Sequence, residues 1–285
     1  MFHTITVSTG RDFSGMDTKG NPISLLIALC VIWVAIPSWN VQAGCRNPNI
    51  VEDEGPFLRP AAASGMIEIK WFGHAFFQIT SSSGTKIVTD PFGAMGYPMP
   101  DVWPNVVTIG RESGNHNNVG LPKGSPLILR GLKPGSEDWN EINTTFRDVL
   151  IYNVPIHQRG VPGYFKGSGF VFELDGLCIL HTGDVGEPFN DDQLQLIGHV
   201  DVVLLPIAGS YTIGPDNAKK VVEQLKPKIA VPMHYYHNYN LLERFTDGPY
   251  RARFLNTNSF SISKDTLPSD TEIYIPKVLW GAEAL

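Results

Sequence analysis

Apolar and polar positions along the chain change their period part-way through. Residues 66–80, MIEIKWFGHAFFQIT, and 85–92, TKIVTDPF, are β-rich runs, and the Ser81-Ser82-Ser83-Gly84 tract between them predicts a hairpin. VVTI at 106–109, PLILRG at 126–131 and FRDVLIYNVPI at 146–156 add further strands. SGFVFELDGLCILHTGD, residues 168–184, holds two apolar runs joined by Asp175-Gly176, a tight-turn dipeptide that permits the positive φ angles a two-residue hairpin needs. The period then lengthens. DDQLQLIGHV (191–200) is helix-like and leads into DVVLLPIAG (201–209); PDNAKKVVEQLK (215–226) is helix-like and leads into PKIAVPMHY (227–235), with Pro215-Asp216 as a helix start and Pro227 as its stop. Residues 236–270, rich in Tyr, Asn, Thr and Ser, read as loop, and TEIYIPKVLW (271–280) supplies a closing strand. Strands in hairpins, followed by strand and helix in alternation, predict a mixed α/β fold with helices outside its sheets.

The N-terminus departs from this pattern. Ile23 to Ile36, ISLLIALCVIWVAI, carries no charge and is followed by Pro37 and the small-residue stretch Val41-Gln42-Ala43-Gly44. The run falls short of the ~20 apolar residues of a comfortable membrane span. Its length, Lys19 before it and the V-x-A pattern ending at Ala43 are those of a secretory signal peptide, with Met16 as an alternative start. A buried core helix is the competing reading. The expected organisation is therefore an extension and signal peptide over 1–43, a linker or arm over 44–65, and one domain over 66–285, with an exported mature chain. Cys45 after Ala43-Gly44 also allows a lipoprotein signal and membrane attachment through acylation, although Gln42 stands where that signal usually has Leu. Of three cysteines, Cys30 leaves with the leader, and Cys45 with Cys178 is at most one pair; no disulfide framework is implied.

Composition narrows the class. With 285 residues, 42% hydrophobic and 18% charged, the chain is globular and long enough for a sizeable core. Twenty-two Lys and Arg against 28 Asp and Glu leave a formal charge of -6, which disfavours a nucleic-acid partner and leaves a small-molecule or lipid-like substrate. Oligomeric state is not legible.

Histidines and carboxylates fall at strand ends: His116 and His157 in or after turn-like segments, His181 and Asp184 closing CILHTGD, His234 ending IAVPM. Ligand-type side chains at the ends of several buried strands build a metal or catalytic site on one rim. Taken in order, Gly73-His74-Ala75, Thr89-Asp90-Pro91-Phe92, His181-Thr182-Gly183-Asp184, Leu205-Pro206-Ile207 and Val231-Pro232-Met233-His234-Tyr235 resemble successive motifs of the metallo-β-lactamase superfamily, and within it the ascorbate-6-phosphate-lactonase-like branch. The resemblance runs from about Met66 to Trp280. It implies an αββα four-layer sandwich with one or two divalent metals, usually zinc, between the sheets.

The family's H-x-H-x-D-H signature corresponds here to Arg111 through His116, so that Arg111 and Ser113 replace histidines, Asn115 replaces aspartate and His116 is retained. The resemblance further implies that His157, Asp184 and His234 are ligands and Asp90 a carboxylate behind a ligand; His74 and His181 are expected near the metal without ligating it. Arginine cannot lose its proton and serine is neutral, so the first metal position, which also uses His157, is expected to be lost. The second retains His116, Asp184 and His234, with Asn115 as a weak fourth donor. One divalent metal, zinc before manganese or iron, would then lower the pKa of its water for attack on an ester, lactone or phosphodiester bond. His157 is the expected general base and Arg111 a fixed positive charge at the substrate oxygen, with Asp184 between them. The alternative is a catalytically inactive binding or accessory protein on the same scaffold. An Arg111–Asp184 ion pair filling a metal position would favour that alternative.

Overall fold

The structure is a computed structural model that describes residues 44–46, 65–160 and 163–277; the leader expected over 1–43 and most of the arm over 44–65 lie outside the described residues. Strands β1 (Ile67–Gly73) and β2 (Phe76–Thr80) form the first antiparallel pair, and β3 (Lys86–Thr89) returns against β2 after the predicted serine-glycine turn. Strands β4 (Val106–Ile109) and β5 (Leu127–Arg130) then extend the sheet in parallel. Phases along these strands are regular. Ile69, Trp71, Phe77, Ile79, Ile87 and Val106 face the main core, while Phe76, Val88 and Val107 face the opposite side. Phe92, Tyr97 and Val102, from the loop after β3, cover that outer side.

The second sheet begins with β6 (Asn143–Phe146), β7 (Val149–Gly160), β8 (Gly163–Leu174) and β9 (Leu177–His181), each antiparallel to the one before it. Asp175 and Gly176, at φ 50 and 73, make the β8–β9 turn as their side chains predicted. Helix α1 (Asp191–Ile197) opens on a reciprocal cap, Asn190 Oδ1 accepting from Gln193 N and Gln193 Oε1 accepting from Asn190 N, each at 2.9 Å. Strand β10 (Val202–Pro206), helix α2 (Pro215–Leu225) and strand β11 (Ile229–Met233) follow, and β9, β10 and β11 lie parallel. All three of these strands are buried along their whole length, which is why their runs are continuously apolar.

The segment read as loop over 236–270 is more ordered than its composition indicated. It holds α3 (Tyr239–Thr246), β12 (Arg251–Phe254) and β13 (Ser259–Ile262) before the closing strand β14 (Glu272–Ile275). Helix α3 buries Leu242 and Phe245, and β13 forms only because β1 is there to pair with it, Ile67 opposite Ile262, nearly two hundred residues away in sequence. Among the described residues the strands thus form two sheets, β13-β1-β2-β3-β4-β5 and β12-β14-β11-β10-β9-β8-β7-β6, whose inner faces share one core. Cys45 is fully buried in that core and bonded to Cys178 of β9 across a Cα–Cα distance of 5.4 Å. No helix among the described residues is long and apolar enough to cross a membrane.

Candidate metal centre

Four strand ends deliver the site. His74 follows β1 at a register shift in the β1–β2 pairing, Asp90 follows β3, Asp184 follows β9 and His234 follows β11. Several of these turns use left-handed backbone: His74 at φ 50, Asp90 at 39, Gly183 at 56 and His234 at 65. A non-glycine residue held there costs about 1–3 kcal/mol, and such strain concentrates where side chains must be aimed rather than packed. Glycine is required at position 73, at φ 113, because a Cβ would lie 2.2 Å from the Tyr97 ring.

The aimed side chains converge. Ligand atoms of His74, His116 and His234 all lie within 4.8 Å of one another. His116 Nε2 is 3.2 Å from His74 Nε2 and 3.0 Å from Asp184 Oδ2, while His234 Nε2 is 3.3 Å from Asp184 Oδ1. The His74 and His234 rings overlap at a centroid distance of 3.7 Å. His116 is held from behind: its Nδ1 lies 3.0 Å from Asp90 Oδ2, and Asp90 Oδ1 accepts from Gly110 N at 2.6 Å. With a proton on His116 Nδ1 donated to Asp90, Nε2 is the atom that faces the cluster, and a metal bound there would displace the proton that Nε2 shares with Asp184.

Charge reinforces this arrangement. Burial, then the neighbouring His234 and His116, push the His74 imidazole down to about 2, so it is neutral and keeps a lone pair. Burial alone would also lower His116, but Asp184 and Asp90 overcome it and hold that ring up at about 10. Burial would raise Asp184; His116 and His234 instead keep its carboxyl well below the usual range, so it is an anion in the interior.

The other side of Asp184 is built differently. Its Oδ2 accepts from Gln158 Nε2 at 2.8 Å and lies 3.5 Å from Arg111 Nη1. The Arg111 guanidinium rests over the Phe165 ring at 5.3 Å, and Phe165 is the cross-strand partner of Gln158. His157 does not join the group, which corrects its expected role as ligand or base. It lies inside β7 rather than at a strand end, and the two-residue period turns it to the opposite face, where its ring meets Trp139 edge-on at 5.1 Å. Gln158 takes the inward place, in phase with Val154 and Ile156. The signal for Gln158 lies in strand phase, since it alternates in step with Val154 and Ile156.

Other expectations are also adjusted. Asn115, expected as a weak ligand, is exposed, because the turn after β4, with His116 N bonded to Ser113 O, sends His116 inward and its neighbour outward. His74, expected near the metal without ligating it, stands among the three converging histidines. His181 is fully buried, with Nε2 2.9 Å from Ala75 O, and burial lowers its pKa.

A metal fits the donor set. Nitrogen or oxygen atoms 2.0–2.1 Å from a tetrahedral ion stand about 3.3 Å from each other, close to the 3.2 Å between His74 Nε2 and His116 Nε2 and the 3.3 Å between His234 Nε2 and Asp184 Oδ1. Two imidazole nitrogens face one another, and the buried Asp184 Oδ1 makes no aligned hydrogen bond, so these atoms suit a cation held between them.

Comparison with known proteins agrees with this architecture. The sequence model of the Beta-lactamase superfamily domain matches residues 68–234. The chain belongs to the metallo-β-lactamase superfamily, among its metal-dependent hydrolases. A UPF0173 metal-dependent hydrolase of Thermococcus kodakarensis is 34% identical over 194 residues, covering 60% of this chain and 85% of that protein. One from Thermus thermophilus is 30% identical over 201 residues, covering 60% and 84%. A solved superfamily structure from Thermotoga maritima is 31% identical with a TM-score of 0.59, covering 75% of this chain and all of that one. In this superfamily member, therefore, the histidine cluster is present while the opposite side of Asp184 carries Arg111 and Gln158.

Proposed function

We propose that the protein hydrolyses an ester, lactone or phosphodiester bond of a small-molecule or lipid-like substrate with one divalent metal, zinc by the chemistry of its donors. The observation that carries this reading is the asymmetry around Asp184: three histidines converge on one side, and Arg111 with Gln158 closes the other. Three imidazoles and a carboxylate suit zinc better than the oxygen-preferring divalent ions. His74, His116, His234 and Asp184 would hold the ion. When bound, it supplies a Lewis acid and a source of hydroxide near neutral pH. Asp90 keeps the His116 proton on Nδ1, and Gln158 fixes the Asp184 carboxylate by donating to Oδ2. Arg111, with 23% of its side chain exposed, is the cation open to substrate, placed to stabilise charge that develops on an ester or phosphoryl oxygen. The formal charge of -6 supports a substrate other than nucleic acid.

One observation favours a second reading, an inactive accessory protein: Arg111 is within ion-pair distance of Asp184, where it substitutes for a metal. Elemental analysis of the purified chain beside His234→Ala separates the two. The hydrolase reading expects about one zinc per chain, lost in the variant, and turnover of a lactone or phosphodiester that falls about 100-fold in Arg111→Ala. Absence of metal after loading, with no turnover, would leave the accessory reading standing.

A further inference from the structure

We infer that the chain is exported as a cleaved, unlipidated protein whose new amino terminus is fastened to the body by the Cys45–Cys178 disulfide. The residues that directly follow the small-residue stretch are seated by four separate contacts. Cys45 is fully buried and bonded to Cys178, 133 residues away. Its amide donates to Glu173 Oε2 at 3.1 Å, and its carbonyl accepts from His199 N at 2.7 Å. The Arg46 guanidinium lies over the Tyr152 ring at 4.6 Å. A stretch that served only as a spacer would not be held by β7, β8, β9 and the turn after α1 together.

This seating decides between the two fates of Cys45. Lipoprotein maturation makes a thioether on its sulfur and cuts the chain before it, so the same sulfur cannot also join Cys178. Hydrolysis of the Ala43–Gly44 bond instead adds water across that peptide, leaving a carboxylate on Ala43 and an ammonium on Gly44. That ammonium is one residue from the amide that meets the Glu173 carboxylate, a favourable charge for a freshly made terminus. Loss of the leader removes Cys30 and leaves an even pair of cysteines. To form the bond, the Cys45 and Cys178 thiols give up two protons and two electrons to the disulfide of a thiol–disulfide exchange protein, which departs as a dithiol. Such bonds persist outside the reducing cytosol.

The test is intact-mass and amino-terminal analysis of the full-length chain, produced with its own leader in a bacterial host and recovered from the cell envelope or medium. The expected product begins at Gly44, is two hydrogens lighter than the dithiol form, and takes up a thiol-alkylating reagent twice, only after reduction. A chain that begins at Cys45 and carries a diacylglyceryl mass overturns the inference. So does a product that alkylates twice without reduction, or one that retains residues before Gly44. Cys178→Ser should expose one alkylatable thiol and melt at lower temperature, with the Cys45→Ser/Cys178→Ser double variant no less stable than either single. If those variants fail to accumulate, the mass of the unmodified chain still decides.

Discussion

The two oxygens of Asp184 face two differently built regions. Oδ1 looks toward His234 and the histidine cluster, where His74 and His234 follow strand ends in left-handed backbone and His116 comes from the turn after β4. Oδ2 accepts from Gln158 Nε2, lies 3.0 Å from His116 Nε2 and pairs with the Arg111 guanidinium at 3.5 Å. The first region offers donors that suit a metal cation; the second carries its cation in a side chain. An arginine brings its positive charge permanently and without exchange, so one carboxylate can serve a metal on one side and a guanidinium on the other. The difference teaches that loss of signature ligands need not silence a shared site, provided that the replacements satisfy the half they occupy.

The strongest way to break this asymmetry is to rebuild the arginine side. Arg111→His and Gln158→His together should raise zinc content from about one to about two per chain, read by elemental analysis, because the two side chains that now meet Asp184 Oδ2 would both become imidazoles. A value that stays at one would show that Gln158 does not stand at a ligand position. A smaller effect sharpens the other side. In Asp90→Asn the carbonyl can still accept from Gly110, which leaves the amide facing His116 Nδ1 and moves the ring proton to Nε2. Zinc affinity should fall about 10- to 100-fold in competition with a chelator, with the melting temperature of the metal-free protein little changed. The smallest effect is expected where a histidine–carboxylate pair is open to water. The hydrogen bond that His199 Nε2 donates to Asp201 Oδ1, 2.9 Å away, raises the His199 pKa above 6.5, and the His199 side chain is 59% exposed. Its folded-state pKa being raised, the stabilisation is complete below about pH 6.5 and disappears as pH rises through the higher folded value. After discounting for solvent, His199→Ala should lose about 0.3 kcal/mol at pH 5.5 relative to pH 8.5, measured by denaturant unfolding at both.

Much of the fold was legible because its signals are local. The hairpin at Asp175-Gly176, helix α2 between Pro215 and Pro227, and the apolar runs of β9, β10 and β11 each depend on residues adjacent in sequence. Helix α3 and β13 were not legible in the polar stretch 236–270, since α3 gains from the two apolar residues it buries and β13 exists through its pairing with β1. The candidate site divides in the same way. His116, Asp184 and His234 are legible from motif order, whereas the motif match at His157 is overridden by the phase of β7, which puts Gln158 at Asp184.

What the sequence determined by itself was the class of scaffold, the acidic balance that disfavours nucleic acid, and a shortage of signature ligands at Arg111, Ser113 and Asn115. Tertiary structure alone decided that His74 stands with His116 and His234, that Gln158 and Arg111 complete the far side of Asp184, and that Cys45 meets Cys178. The reason is physical. Helix and turn preferences are carried by neighbouring residues, but a ligand cluster depends on which faces of distant strands are brought together, and in a strand one residue of phase turns a side chain from the site to the opposite face.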